Sequence, residues 1–307
     1  MKPLSAPDLP SVRLRDWYAR GDFFDFGAHR IFYRQSENWA ASTLPILLMV
    51  HGFPTASFDW WPLWVPLSPY FRLLAPDLLG FGWSSKPRPH RYSVLEQAHI
   101  VEALMTHKQV NDCHLLAHDY GDTVAQELLA RHNERSLLSP SLRLLSVTLL
   151  NGGLFPESHR PRLIQKLLLS PIGPWLARRL NRQRFGNSFS FVFSRQHQPS
   201  AAELDEFWAL IARDDGHLLA PLLLSYIPER KQHRERWVGA LMKADVPIRL
   251  INGLDDPISG AHMVARYRAL IDNPDVVELP GIGHYPQLEV PGRVAEAILC
   301  ARLIENA

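Results

Sequence analysis

The sequence predicts an α/β protein: a mainly parallel sheet flanked by helices on both faces and interrupted by one helical cap insertion. Three features point to it. Apolar runs of strand length recur along the chain, each running into a loop and then into a segment of helical spacing. From about residue 154 to about residue 243 that pattern gives way to proline-punctuated helical pieces without strands, and after residue 245 it resumes in the earlier style. The insertion therefore interrupts one core domain, residues 1–153 and 244–307, with residues 154–243 as the cap.

Each element has its own justification. "FFDFGAHRIFYRQ" (residues 23–35) alternates on both sides of Gly27 and predicts a β-hairpin. "LPILLMV" (44–50) is continuously apolar, as a strand covered on both faces must be, and runs into "HGFPT". "FRLLAPDLLGFGWSSKP" repeats that plan, residues 93–107 have helical spacing, and "HLLAH" is the next short buried strand. Residues 120–131, rich in Ala, Leu, Gln and Glu, predict a helix, and "LRLLSVTLLNGG" (142–153) a further strand. Beyond the insertion come the strand "VPIRLINGLDD" (246–256), a helix near 261–271, the strand "DVVELPG", the tripeptide "GHY" and a last helix over 291–304. The cap is expected to lie over the C-terminal ends of the strands, where open α/β sheets bind ligands, and to line an apolar pocket through residues of "FSFVF" (189–193) and residues around Trp208 and Tyr226, these two being candidate substrate-binding or lid-acid residues.

With 307 residues, 46% hydrophobic and 21% charged, the chain can bury a large core. A net charge of +2 and the lack of a nucleic-acid motif exclude nucleic acid as the expected partner and leave a small apolar substrate. Cys113 and Cys300 lie in apolar surroundings without metal-type spacing, so a reducing compartment and no metal or other cofactor are expected. The opening "MKPLSAPDLPSV" holds a lysine, an aspartate and three prolines where a signal peptide needs an apolar core. No run approaches the roughly 18 apolar residues of a membrane span. The expectation is a cytoplasmic protein that does not associate with a membrane, since such association could come only from a surface patch. The insertion carries 14 Lys or Arg against 8 Asp or Glu, densest in "RRLNRQR" (178–184), which reads as a solvated helix face in preference to the alternative of a site for an anionic substrate or lipid surface.

The chemistry centres on "LLAHDYGDTVAQ". A small-x-nucleophile-x-Gly turn between strand and helix normally presents a serine, with small residues two before and two after as a steric requirement. Ala117 and Gly121 meet that requirement, yet the tip is Asp119. Aspartate is also a favoured N-cap. Chain order favours the nucleophile: after Asp119 come "GLDDP" at the end of one strand and "GIGHY" after the next, giving nucleophile, acid and base in sequence. His284 is then the base and Asp256 its partner, preferred over Asp255 because it stands at the loop tip just before Pro257. "HGFPT" follows a buried strand at the place where such a fold supplies one oxyanion-hole N–H, that of Phe53. The residue after the nucleophile, Tyr120, supplies the other. His51 and His118 are assigned to backbone hydrogen bonding.

A serine makes an acyl-enzyme, whereas a carboxylate attacks an sp3 carbon and leaves an alkyl ester on the protein. His284 then activates water against the carbonyl of that ester. The leaving group must be a halide or the oxygen of a strained epoxide.

On these residues the chain resembles an α/β-hydrolase of the epoxide hydrolase and haloalkane dehalogenase branch. "GDFFDFGAHRIFYRQSE", "HDYGDTVAQELLAR", "NGGLFPESHRP", "RWVGAL" and "HYPQLE" more closely resemble the mesoderm-specific transcript protein family, from about residue 16 to about residue 295. The resemblance implies the α/β-hydrolase fold and a hydrolase. It also implies a choice between substrates, because dehalogenases have a similar "HGNPT" loop and "HDWG" elbow whose Asn and Trp hold the departing halide. Here those positions are Phe53 and Tyr120, and Asn151 stands where one dehalogenase subgroup keeps its acid. Epoxide hydrolases resemble the chain in "HGFP" and use lid tyrosines to protonate the opening oxygen. Tyr226 is the one tyrosine of the insertion, and Tyr120 could supply a second hydroxyl. An epoxide is therefore the favoured substrate class and a haloalkane the alternative. A binding or regulatory protein that keeps the fold without turnover is the third possibility, and it has no need of nucleophile, acid and base together.

Overall fold

The structure, a computed structural model, describes residues 9–135 and 142–305. The first eight residues, which carry most of the "MKPLSAPDLPSV" segment, lie outside them. Chain order runs from helix α1 (Val12–Ala19) into the hairpin strands β1 (Gly21–Phe26) and β2 (His29–Gln35), joined by a turn in which Gly27 takes φ 57. Then follow β3 (Ile46–Val50), α2 (Trp61–Leu67), β4 (Arg72–Pro76), α3 (Val94–His107), β5 (Asp112–His118), α4 (Tyr120–Asn133) and β6 (Arg143–Leu150). Seven helices come next: α5 (Leu163–Leu168), α6 (Gly173–Ala177), α7 (Arg182–Ser190), α8 (Ala201–Ala212), α9 (Ala220–Leu223), α10 (Tyr226–Gln232) and α11 (Arg234–Met242). The sheet resumes with β7 (Ile248–Gly253), α12 (Ala261–Leu270) and β8 (Asp275–Leu279), and the chain closes through α13 (Pro286–Glu289) and α14 (Pro291–Glu305).

The eight strands form one sheet in the order β1-β2-β4-β3-β5-β6-β7-β8. The hairpin enters antiparallel, β2 pairs antiparallel with β4, and every pair from there onward is parallel. Continuous burial of Ile46 to Val50 follows from that central place, because both faces of β3 are covered. One face packs on α3, α4, α11 and α12 through Val101, Val124, Trp237 and Met263. The other packs on α1, α2 and α14 through Leu14, Trp17, Trp64 and Val294. The parallel strands all deliver their C-terminal ends to the same edge. Ser93 marks the start of α3, its hydroxyl accepting the Glu96 N–H at 3.1 Å.

The helices between β6 and β7 do not act as one unit. Those from α5 to α9 stand over the strand ends and wall a cavity above Asp119, through Ile164, Leu168, Phe189, Leu210 and Leu223. The segment after them returns to the core. Arg230 Nε on α10 donates to Thr123 Oγ1 of α4 at 2.8 Å, and Trp237 Nε1 on α11 donates to Glu127 Oε2 of the same helix at 2.8 Å. Trp237, Val238 and Leu241 share the cluster of Val124 and Leu128, so by packing α11 is a flanking helix of the sheet. The expected boundary at residue 243 follows chain order, whereas the packing boundary falls before α10. Helical spacing alone cannot separate a cap helix from a flanking one, since both bury one face.

Candidate active site

Asp119 joins β5 to α4 with φ 49 and ψ −104, outside the regions that L-residues populate freely. Holding a side chain there costs on the order of 1–3 kcal/mol, met by the packing of the turn. The neighbours explain the sequence pattern. A Cβ on Gly121 would stand 2.2 Å from the Val50 carbonyl oxygen, and one on Gly52 would stand 2.9 Å from Asp119 Cβ. Only glycine lets β3, its loop and the elbow approach so closely. The Asp119 side chain makes no capping hydrogen bond to α4. Its Oδ2 instead accepts the Phe53 N–H at 3.1 Å, while Oδ1 faces His284 Nε2 at 3.8 Å. Tyr120 is the first residue of α4, so its N–H belongs to the first turn, which has no intrahelical acceptor.

The loops after β7 and β8 bring in the other two groups. His284 Nδ1 lies 2.7 Å from Asp256 Oδ2, with both residues buried. Asp256 Oδ2 also accepts from Asn151 Nδ2 at 2.9 Å and Ser259 Oγ at 2.7 Å, and its Oδ1 accepts from the Ile258 N–H at 2.7 Å. Asp255 faces solvent and accepts the Gly281 N–H at 3.3 Å. Asp119, Asp256 and His284 thus converge from three strand ends at one edge of the sheet. Residues 45–291 match the α/β-hydrolase fold family.

The chain belongs to the α/β-hydrolase family.

It is 45% identical to the mesoderm-specific transcript homolog protein of Bos taurus over 295 residues, 93% of this chain and 86% of that one. It is 39% identical to LipZ of Mycobacterium tuberculosis, whose name assigns it provisionally to the hydrolases, over 95% of this chain and 98% of LipZ. Solved structures of the same fold include the haloalkane dehalogenase DbeA from Bradyrhizobium elkani, with TM-score 0.78, 20% identity and coverage of 94% and 99%. The epoxide hydrolase CorEH follows, with TM-score 0.74, 16% identity and coverage of 91% and 96%.

Electrostatics in this α/β-hydrolase set His284 apart. Burial alone pushes its imidazole down. The charge and hydrogen bond of Asp256, with the charges of Asp119 and Glu289, outweigh burial and hold it up at about 8. Burial likewise pushes Asp256 up, and His284, Asn151 and the Ile258 N–H overcome it and hold the carboxyl below its usual range. In the resting α/β-hydrolase, then, the His284 imidazole lies between the carboxyl groups of Asp256 and Asp119 and is held toward its protonated form. Its loop is clamped from several sides: the His284 N–H donates to Val192 O at 2.8 Å, His118 Nε2 lies 2.7 Å from His284 O, and Glu289 Oε2 accepts the N–H groups of Gly283 and Ser194, each at 3.0 Å.

His51 and His118 are bound to backbone. His51 Nε2 accepts the Leu78 N–H at 3.0 Å, which leaves Nδ1–H to donate to Gly52 O at 2.8 Å, and burial holds the ring down at about 4. Asn151 and Ser259 were not singled out for this role by the sequence. Asn151, at φ 45 just after β6, accepts the Gly253 N–H at 2.8 Å and donates to Asp256, so it fixes β7's end and the acid together. A polar residue closing an apolar strand was the available signal.

Above Asp119 lies a cavity of about 130 Å3 with mainly apolar walls. Phe189 and Val192 of "FSFVF" line it, while Phe191 faces solvent. Around Trp208 and Tyr226, the walls are made by Leu210, Ile211 and Leu223, not by the two aromatics themselves. Trp208 is not among the lining residues: Phe207, Leu210 and Ile211 make the buried face of α8, and Trp208, turned about 100° from Phe207, packs on Phe185 and His217. Tyr226 is also absent from the walls. It packs edge to face on Tyr120, ring centroids 4.7 Å apart, with the Arg230 guanidinium 4.5 Å from its ring, burial pushing its phenol up and the Asp119 charge close enough to add to that push. The phenol that does line the cavity is Tyr285, beside His284, whose hydroxyl donates to Phe53 O at 3.2 Å.

Proposed function

We propose that this α/β-hydrolase is an epoxide hydrolase working through an ester between Asp119 and its substrate. The observation that carries this reading is the division of the Asp119 carboxylate, with Oδ2 on the Phe53 N–H and Oδ1 toward the cavity and His284. A serine hydrolase keeps its oxyanion hole for a substrate oxygen. Here the hole already holds an oxygen of the nucleophile itself, where charge develops when an aspartyl ester is hydrolysed.

In this reading Asp119 Oδ1 attacks an epoxide carbon, the C–O bond breaks, and the freed oxygen takes a proton from a phenol. Tyr285, on the cavity wall, is better placed for that step than Tyr226. Neutral His284 then takes a proton from water as the water oxygen bonds to Asp119 Cγ, with the negative charge on Oδ2 held by the N–H groups of Phe53 and Tyr120. Collapse returns the His284 proton to the departing oxygen and releases a diol. The water's second proton, freed as the Asp119 carboxylate re-forms, restores the phenol. An epoxide is favoured over a halide because Phe53 has no side-chain donor to receive a departing anion. A panel of apolar epoxides, haloalkanes and carboxyl esters tests the reading: diols from epoxides support it, and turnover confined to esters or haloalkanes overturns it.

The second half-reaction carries a pH signature. His284 is held up partly by the charge of Asp119, and forming the ester removes that charge, so the imidazole falls below about 8 once the intermediate exists. Hydrolysis of the ester needs the neutral ring. Its single-turnover rate is therefore expected to rise with pH and level off with an apparent pKa below 8. A rate that falls as pH rises from 6 to 8 would remove His284 from the role of base. Stability has the opposite sense: a group held above its unfolded value stabilises the fold fully below about 6.5, and that contribution disappears as pH rises through about 8.

A further inference from the structure

We infer that the α5–α6 face of the cap docks on an anionic lipid surface. Among the described residues, eleven large apolar side chains stand exposed, and six of them fall between residues 163 and 191. They are Leu163, Ile164, Leu169, Ile172, Trp175 and Phe191, with Leu163 71%, Phe191 62% and Trp175 53% exposed. Soluble surfaces seldom gather so many without a partner. The segments that carry them adjoin: α5 packs on α6, and the Arg162 guanidinium, next to α5, lies 4.5 Å from the Phe191 ring.

Charge selects the occupant. Between Glu157 and Glu203 the chain has eight Lys or Arg and no acidic residue. Arg160, Lys166, Arg178, Arg179, Arg184 and Arg195 are exposed, and the Arg179 guanidinium lies 4.3 Å from the Trp175 ring, at the edge of the apolar face. An apolar face carrying an exposed tryptophan and bordered by cations, of which Arg182 is paired with Asp205 at 2.6 Å, complements the headgroup region of an anionic bilayer. Among the described residues no helix is long and apolar enough to cross a membrane, so contact is made at the surface. The face also has access to the site. Ile164 is at once exposed and a wall of the cavity above Asp119, with Leu168 and Leu180 beside it. An apolar substrate dissolved in lipid would enter the cavity from that face. "RRLNRQR", read from the sequence as a solvated helix face in preference to a site for an anionic substrate or lipid surface, becomes part of the docking surface.

Co-sedimentation with vesicles tests this with the whole chain and independently of any reaction. The protein should pellet with vesicles of equal parts phosphatidylcholine and phosphatidylserine, far less with phosphatidylcholine alone, and less again as salt is raised. Replacing both Arg178→Gln and Arg179→Gln should weaken binding on the order of thirtyfold. Trp175→Ser with Phe191→Ser should weaken it as well, with the melting temperature unchanged. If the tryptophan–phenylalanine variant folds poorly, the arginine pair, wholly on the surface, carries the test. Equal sedimentation with both vesicle types, no sedimentation, or sedimentation untouched by the arginine pair overturns the proposal. So does a dimer in vesicle-free buffer that the same substitutions abolish, which would make the face a protein interface.

Discussion

Asp119→Asn is expected to fold as the parent does and to lose turnover by about 10⁴-fold or more. The fold survives because the Asn carbonyl oxygen can accept the Phe53 N–H that Asp119 Oδ2 accepts, and the side chain makes no capping bond that the change would remove. Turnover is lost because an amide is a poor nucleophile and the ester cannot form. A second consequence distinguishes this variant from a merely damaged one. Removing the negative charge takes away one of the influences that hold His284 at about 8, so the imidazole should titrate lower, a shift readable by NMR of the ring. Intact mass must first show that the Asn has not deamidated, since deamidation regenerates the aspartate. Parent-like hydrolysis of any substrate by protein of verified mass would remove Asp119 from the mechanism.

Much of the fold could be read because its strands are buried on both faces. β3, β5 and β6 sit in the middle of the sheet and are written as apolar runs, whereas the hairpin at the sheet edge shows alternation around Gly27. The elbow was legible for a steric reason. Gly121 has no room for a Cβ and Ala117 is fully buried, and such constraints show in sequence whatever residue occupies the tip. Asp256 could be separated from Asp255 because two adjacent loop residues point opposite ways, one into the triad and one to water. Side chains whose place depends on the relative seating of helices were not legible. Trp208 and Phe207 are neighbours in sequence, and only the packing of α8 over the core decides which faces inward. Tyr226 begins α10, a helix tied to α4 by Arg230 and Thr123, and that tie places its ring against Tyr120. Asn151 acts on Asp256 from the loop after β6, a long-range relation that no local pattern records, whereas Ser259 acts on it from three residues on in the same loop.

His284→Gln should separate the two halves of the reaction. Displacement by the Asp119 carboxylate needs no general base, whereas water must lose a proton to attack the resulting ester. The glutamine amide can donate to Asp256 Oδ2 in place of His284 Nδ1, so the loop and the acid stay in position, and the Asn151, Ser259 and Ile258 contacts to Asp256 remain. The variant is therefore expected to accumulate one covalent adduct per chain, with ester hydrolysis slowed by roughly 10²–10⁴-fold. Intact mass then reports the substrate class as well as the mechanism. An epoxide adds its whole mass, because the opened oxygen stays on the adduct, while a haloalkane adds its mass less hydrogen halide. Peptide mapping should place the adduct on Asp119, and a carboxyl ester acting through another nucleophile would leave an acyl group elsewhere. If the parent turns a substrate over and the glutamine variant carries no adduct from it at any time after mixing, no aspartyl ester lies on the path. The division of Asp119 between Phe53 and His284 would then need another chemical explanation.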